Sequence, residues 1–132
     1  MARCREALDA FAPDVVLVSG DDQYETFREE VVPSFCLMAY EDMEIRRPEP
    51  AGSRGVPNPW GRPFDMPMLM RRAPDIGREV ACRLLDAGFD IAYSYRKPEG
   101  VPFPHAMANT QLDHDNAGTE FPYPVLRMAV NC

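Results

Sequence analysis

Apolar residues recur at helical spacing in two stretches of the chain. From Arg3 to Phe11 the apolar positions lie three or four residues apart and charged side chains take the opposite face, which predicts an amphipathic helix. Pro13 ends this helix, because proline cannot continue its backbone hydrogen bonding. A second apolar stripe starts at Pro74, a residue favoured in a first helical turn, and Gly88 provides a C-terminal stop. The pattern therefore predicts two helices.

Three short apolar runs predict strands. Residues 15–18 (VVLV) are β-branched or aliphatic without polar alternation, which suits a strand covered on both faces. FDIAYSY (residues 89–95) and PVLRMAVN (residues 124–131) are two further runs. Because helices and strands alternate, we predict an α/β fold with a parallel or mostly parallel sheet and flanking helices. Three strands make a thin sheet, so we expect residues 1–132 to be a single, incomplete portion of a larger domain.

Residues 46–72 are predicted to form an irregular loop. This segment carries six of the 14 prolines, which disfavour a helix or a central strand, and six arginines against two acidic residues. Trp60 and Phe64 favour docking of the loop onto the protein, because buried aromatic rings can hold a loop in place. Three interpretations stay open: a surface segment that covers the core, a lid over a site for an anionic substrate, and a contact with another subunit.

The composition narrows the possible function classes. A length of 132 residues fits one domain, and a net charge of −7 repels phosphate backbones, so nucleic acid is not expected as a partner. Charges interrupt the N-terminal region where a signal peptide would be apolar, and no apolar run approaches the roughly 20 residues that cross a bilayer. We therefore expect a cytoplasmic protein without membrane contact. The four cysteines lack C-x-x-C spacing, which favours reduced thiols over a zinc or redox site.

Polar side chains directly follow the first predicted strand. Asp21, Asp22, Gln23 and Tyr24 stand at its carboxyl end, where ligands gather in open α/β sheets. This position makes the four residues candidates for a functional site. A structural alternative stays open, in which Asp21 or Asp22 only caps a helix in the following segment YETFREEVV (residues 24–32).

Both histidines of the chain lie in a second polar stretch, PFPHAMANTQLDHD (residues 102–115). With Asp113 or Asp115 nearby, His105 and His114 suggest the set of two histidines and one carboxylate that holds non-haem Fe(II). Their separation favours such a set only if the intervening chain folds back. The alternative for His114 is a structural role in an apolar loop, whereas small neighbours leave the His105 ring accessible.

Three segments in this order resemble a known family: PDVVLVSGDDQYETF, FPHAMANTQL and FPYPVLRMAVNC. They are similar to the class III extradiol ring-cleavage dioxygenases, the superfamily of the protocatechuate 4,5-dioxygenase beta subunit. The resemblance runs through most of the chain and is weakest in residues 46–72. It implies an α/β fold that binds Fe(II) through two histidines and a glutamate and opens a catecholic ring with O2. An open coordination face would let the diol and O2 bind the same iron.

The resemblance gives expected roles to individual residues. Asp22 matches the aspartate of the family's Asp-His pair, and Gln23 stands where the family has a histidine iron ligand. A glutamine carbonyl is a weaker donor to Fe(II) than imidazole. Tyr24 fits the family pattern, and His105 resembles a histidine that positions substrate and oxygen, which makes it the candidate catalytic residue. The candidates for residues that bind the substrate, or that support the residues binding it, are Asp22, Tyr24 and His114.

The resemblance also limits what this chain is expected to do alone. The family's histidine in a His-x-Pro strand, its glutamate ligand and its acid–base histidine have no counterpart in this sequence. We therefore expect a dioxygenase-type domain of aromatic compound catabolism that is inactive alone and needs another subunit or the missing part of the domain. An arginine of residues 46–72 could attract a carboxylated aromatic diol. One alternative is a non-catalytic binding or assembly subunit with the same fold, and another is an unrelated α/β interaction domain.

Overall fold

The computed structural model describes residues 2–46, 67–114 and 121–131 of the chain. In chain order the elements are α1 (Ala2–Phe11), β1 (Val16–Asp21), β2 (Phe35–Met38), β3 (Met43–Arg46), β4 (Pro67–Met70), α2 (Pro74–Asp86), β5 (Ala92–Ser94), α3 (His105–His114) and β6 (Val125–Val130). Among these described helices, none is long and apolar enough to cross a membrane.

Four strands form the main sheet in the order β1-β6-β2-β5. β1 is parallel to β6 and β2 is parallel to β5, whereas β2 and β6 are antiparallel. The predicted α/β class with a mostly parallel sheet and flanking helices is therefore confirmed. β6 lies inside the sheet because its apolar side chains suit burial on both faces; Val125, Leu126 and Ala129 are all buried.

Helices cover both faces of this sheet. On one face α2 packs against β2 and β6, and Leu37, Ala81 and Leu126 form a buried cluster there. On the other face α3 places Met107 against Ala129. Leu126 and Ala129 contribute to different faces because successive side chains alternate along a strand. Each helix therefore buries the side chains of one face.

β3 and β4 form a separate antiparallel pair, in which Arg46 lies opposite Pro67. The prediction of an irregular segment over residues 46–72 is therefore wrong at residues 67–70. Pro67 is compatible with this strand because it is the first residue and the pair has only two strands. Residues 47–66, with Trp60 and Phe64, lie outside the described residues, so the docking of the loop stays a prediction.

The two predicted helices are both present. α1 ends at Phe11, just before Pro13, and α2 runs from Pro74 to Asp86. Gly88 follows α2 with a φ of +84°, a left-handed conformation that glycine adopts without a steric penalty. The stop signals of the sequence thus act as expected.

The predicted strands differ in their surroundings. PVLRMAVN becomes β6 as expected, but β1 is an edge strand, and the prediction that it is covered on both faces is wrong. Leu17 of β1 is 63% exposed. The strand predicted in FDIAYSY is limited to β5 at the opposite edge, where Tyr93 is exposed.

Besides β3 and β4, two elements were missed, and one proposed element is absent. The segment YETFREEVV forms bends and a turn and no helix. The sequence predicts a loop around His105 and His114, but the structure has the helix α3 there. This helix has a weak amphipathic pattern and contains poor helix formers such as Asn109, so its sequence gives little helical signal. β2 has only four residues, which is short for a reliable pattern.

Candidate functional site

The loop after β1 and the first turn of α3 are held together by side chains. Glu25 Oε2 accepts a hydrogen bond from the backbone N–H of His105 at 2.8 Å and lies 2.9 Å from Nδ1 of the same residue. Thr26 Oγ1 donates to the carbonyl oxygen of Pro102 at 3.3 Å. The structure thus brings His105 to the loop that carries Asp22, one of the predicted site residues.

Asp22 organises this loop from within the protein. Its side chain is buried; Oδ1 accepts the backbone N–H of Thr26 at 2.8 Å, and Oδ2 accepts that of Phe27 at 2.7 Å. Both carboxylate oxygens are therefore engaged with backbone of the same chain. This arrangement resembles the capping considered in the sequence, although the segment that Asp22 holds is a turn rather than a helix.

Gln23 and Tyr24 are exposed at the same loop. The amide Nε2 of Gln23 donates to Oδ2 of Asp21 at 2.7 Å. Tyr24 has a φ of +56°, which is uncommon for a residue with a side chain, and its N–H bonds to the carbonyl oxygen of Asp22 at 2.7 Å. The tight turn therefore directs two of the candidate residues away from the core.

The contact with Glu25 determines the tautomer of His105. A carboxylate only accepts hydrogen bonds, so the contact places a proton on Nδ1 of His105; in the neutral ring Nε2 then carries the lone pair. The His105 side chain is 48% exposed and that of Glu25 is 23% exposed. Nε2 can therefore accept a proton or a hydrogen bond from a ligand at the surface.

His114 does not lie beside His105. The two residues are the last and first of α3, and a rise of about 1.5 Å per residue places their backbones roughly 14 Å apart. The side chain of His114 is outside the described part of the structure. The set of two histidines and one carboxylate suggested by the sequence is therefore not formed by these two residues.

The described residues do not fit an iron centre. Among them, no group of three or more His, Cys, Asp or Glu side chains converges to hold a metal ion. Gln23 offers only a neutral amide, and both carboxylate oxygens of Asp22 accept backbone N–H groups. Gln23 therefore stays a predicted ligand position without a supporting donor set in the described structure.

A second polar group, which the sequence analysis did not identify, is buried in the protein. Arg127 of β6 is completely buried, and its Nη2 donates to Oε1 of the buried Gln111 of α3. Its Nε and Nη1 have no hydrogen-bond partner in the described part of the chain. A charged residue inside the apolar run PVLRMAV was the available sequence signal, because a buried strand rarely contains an arginine.

Arg72 lies close to Arg127 and is also buried. Its backbone N–H donates to Asp42 Oδ1 at 2.7 Å, and its Nη2 lies 3.1 Å from the sulfur of Met43. Nε and Nη1 of Arg72 likewise find no partner among the described residues. The Phe103 ring centroid is 4.9 Å from the Arg72 guanidinium carbon and 5.3 Å from that of Arg127. The two cations therefore share one aromatic ring.

Burial changes the acid–base properties of these groups. Loss of solvent lowers the pKa of Arg72 to about 10 and that of Arg127 to about 8, and repulsion by Arg72 contributes to the change at Arg127. Burial also raises the pKa of Cys36 to about 12, with a contribution from the negative charge of Asp22. The Cys36 thiol is therefore neutral and unreactive near neutral pH.

A cavity of about 720 Å³ opens next to two residues that contact Arg72. It is lined by Tyr40, Asp42 and Met43 on one side and by the segment 95–100 on the other. Tyr40 and Met43 also contact Arg72, so the Arg72 guanidinium lies behind this part of the cavity wall.

Two curated dioxygenases are similar to this chain. The 2,3-dihydroxyphenylpropionate/2,3-dihydroxicinnamic acid 1,2-dioxygenase 2 of Pseudomonas putida is 30% identical over 128 residues, which are 97% of this chain and 34% of that protein. The 2,3-dihydroxyphenylpropionate/2,3-dihydroxicinnamic acid 1,2-dioxygenase of Comamonas testosteroni is 29% identical over 96 residues, 73% of this chain and 25% of that protein. The chain spans about a third or less of the length of these relatives. No family model matches it.

The comparisons confirm the predicted resemblance at a coarse level. Both relatives are dioxygenases named for aromatic diols that carry a carboxylate side chain. Assignment to the class III subtype stays a prediction.

Proposed function

We propose that this chain is an extradiol dioxygenase-like domain that contributes part of an aromatic diol site and does not turn over alone. The observation that carries the proposal is similarity to a dioxygenase across 97% of the chain. The proposal includes the expectation that the chain is part of a larger domain or assembly. β1 is an edge strand of the described sheet, which supports this expectation because unpaired sheet edges suit addition of further structure.

His105 is the residue proposed to act on the diol. Glu25 holds Nδ1–H of its ring, the side chain is half exposed, and Nε2 of the neutral ring would accept a hydrogen bond or proton from a substrate hydroxyl. Tyr24 is exposed at the same loop and would contribute an aromatic surface to the bound ring. Asp22 fixes the turn after β1 that carries Tyr24 and Glu25, and Glu25 in turn holds His105.

We expect no turnover by the isolated chain because of the side chains that it offers as Fe(II) ligands. Extradiol cleavage of the family type requires Fe(II), and the described residues do not provide three converging ligands. Gln23 occupies the position of the family's histidine ligand but carries a neutral amide, which holds Fe(II) less strongly than imidazole. Another subunit or a further part of the domain would have to supply the remaining ligands.

A non-catalytic binding or assembly subunit is the second candidate function. The specific observation in its favour is the engagement of the Gln23 amide with Asp21, which makes the loop self-contained without a metal. In that case Gln23 and Asp21 would be parts of the turn only.

Iron binding and oxygen uptake test the proposal together. The purified chain is titrated with Fe(II) under anaerobic conditions and then given 2,3-dihydroxyphenylpropionate and O2. We expect neither stoichiometric iron binding nor oxygen uptake by the wild-type chain. Gln23→His is expected to bind Fe(II) at least about 10-fold more tightly than wild type, because imidazole replaces a weaker donor at a ligand position. Gln23→Asn is the matched control and should behave like wild type.

The outcomes separate the two candidates. Oxygen uptake by the wild-type chain would contradict the proposed lack of turnover. Equal iron affinity of Gln23→His and Gln23→Asn would argue that the position has no relation to a metal site and would favour the assembly subunit.

A further inference from the structure

Arg72 and Arg127 are charged groups that the proposed function does not use. We propose that these two side chains form a buried binding site for the carboxylate of a small organic acid. Arg127 has no exposed surface and Arg72 is 5% exposed. Each guanidinium has two nitrogen atoms, Nε and Nη1, without a partner in the described structure. The site therefore offers several unused donors to one anion.

The neighbouring acidic groups do not neutralise this pair. Asp22 is buried nearby, but its two oxygens accept backbone N–H groups of its own loop. Asp42 is exposed and accepts the backbone N–H of Arg72; its negative charge also favours the charged Arg72 guanidinium, but no hydrogen bond joins the two groups among the described contacts. Gln111, which accepts from Arg127, is neutral. Two positive charges are therefore buried together without a carboxylate hydrogen-bonded to either guanidinium among the described side chains.

Such an arrangement is unfavourable unless an anion is bound. Burying a cation without a paired charge destabilises a protein, and two cations close together repel each other. The lowered pKa of Arg127 has these two causes, burial first and Arg72 second. A bound carboxylate would provide a charge partner and acceptors for the unused N–H groups, as charge-assisted hydrogen bonds do.

The surroundings favour an organic acid over inorganic phosphate. The Phe103 ring lies against both guanidinium groups, and the sulfur atoms of Met43 and Met70 lie 3.1 Å and 3.6 Å from Nη2 of Arg72. Thioether and aromatic groups solvate a strongly hydrated dianion poorly, whereas they suit the hydrocarbon part of a monocarboxylate. We therefore assign the site to a carboxylate with an apolar substituent.

The large cavity provides the route to this site. Met43 and Tyr40 form part of its wall and contact Arg72 from the other side. Met43 is only half-buried and its unbranched side chain can change rotamer easily. Movement of Met43 would join the cavity to the guanidinium groups, so that the substituent of the acid occupies the cavity and its carboxylate reaches the arginines.

Thermal unfolding and calorimetry with 3-phenylpropionate test this proposal. At about 100-fold excess over the dissociation constant, the acid is expected to raise the melting temperature by about 5–10 °C. The neutral isostere 3-phenylpropan-1-ol and sodium chloride at equal ionic strength should leave it unchanged. The acid has no ring hydroxyls and no iron is added, so the result is independent of dioxygenase activity.

Variants of the two arginines test whether 3-phenylpropionate binds at this site. Arg127→Met and Arg72→Met should each weaken binding of 3-phenylpropionate at least about 10-fold. Without ligand, Arg127→Met should melt at or above the wild-type temperature, because methionine fills the space without a buried charge. Arg83→Met is the matched control: Arg83 is an exposed arginine of α2 that does not line the cavity, and its removal should leave binding intact.

Acetate, measured in the same assays, shows which part of the acid the site recognises. Weaker binding of acetate than of 3-phenylpropionate would support the assignment to an acid with an apolar substituent, and equally tight binding of acetate would overturn it. Equal effects of the acid and the alcohol, no effect of either carboxylate, or unchanged binding by Arg127→Met would each overturn the proposal.

Discussion

At the scale of single residues, Asp22 shows how a predicted site residue can serve the structure first. Its carboxylate binds two successive backbone N–H groups, those of Thr26 and Phe27, from a buried position. A buried donor that loses its acceptor costs about 1–3 kcal/mol. The turn that presents Gln23 and Tyr24 therefore depends on Asp22, whether or not Asp22 ever contacts a ligand.

Replacement of this carboxylate by an amide should be measurable as lost stability. In Asp22→Asn one of the two backbone N–H groups would face the NH2 of the new side chain instead of an acceptor, so we expect unfolding to be easier by about 1–3 kcal/mol. The midpoint of urea denaturation measures this change. Asp21→Asn is the matched control, because among the described residues the Asp21 carboxylate accepts from the exposed Gln23 side chain, and a change below about 0.5 kcal/mol is expected. Equal midpoints for the two variants would contradict the structural role of Asp22.

The candidate site was only partly predictable from the sequence. The carboxyl end of a buried run located Asp22, Gln23 and Tyr24, because strand ends in α/β sheets have a known polarity. The partner of His105 was not predictable, since Glu25 is 80 positions away in the chain and only the fold brings them together. The spacing of the histidines was uninformative until their segment was known to be helical.

At the scale of elements, the close approach of α2 to the sheet depends on Gly77. A Cβ at this position would lie 2.6 Å from Cβ of Ala39 and 2.9 Å from Cδ1 of Leu126. Gly77 is buried within the helix, where glycine is normally unfavourable by about 1 kcal/mol relative to alanine. The absence of a side chain thus allows helix and sheet to pack directly.

Gly77→Ala is therefore expected to destabilise the protein although it improves helix propensity. Overpacking of a close contact costs about 1–3 kcal/mol, which outweighs the gain in propensity. Chemical denaturation monitored by circular dichroism gives the difference in free energy of unfolding. Cys82→Ala, at an exposed position of the same helix, should change it by less than about 0.5 kcal/mol. A stabilised Gly77→Ala protein would show that α2 can shift away from the sheet without loss.

Elements with strong local signals were predicted, and elements that depend on tertiary contacts were not. α1, α2 and β6 have clear periodicity or continuous apolar runs together with stop signals such as Pro13 and Gly88. β2 is short, and its antiparallel pairing with β6 is set by contacts distant in sequence. α3 is stabilised by burial of Met107 against the sheet rather than by an amphipathic pattern of its own.

At the scale of the whole molecule, the sheet has one strand that joins its halves. β6 pairs with β1 on one side and with β2 on the other, whereas β3 and β4 pair only with each other within the described strands. Local opening requires less free energy where fewer contacts are broken. Resistance to opening is therefore expected to be highest at β6.

Amide hydrogen exchange measures this distribution. We expect the amides of β6 to exchange at least about 10-fold more slowly than those of the β3–β4 pair, since β6 opens only when both neighbours separate. Mass spectrometry of peptic peptides covering residues 43–46 and 125–130 provides the comparison. Exchange from the two regions at the same rate would mean that the molecule opens as a single cooperative unit.

The pairing of β1 with β6 also has a consequence for synthesis of the protein on the ribosome. Val16 of β1 is opposite Val125 of β6, and Cys36 of β2 is opposite Ala129, so β1 and β2, which are synthesised earlier, both pair with the last described strand. Until β6 leaves the ribosome, the inner edges of β1 and β2 have no lasting partner. Such long-range pairing slows folding and leaves apolar edges accessible to chaperones or to other nascent chains.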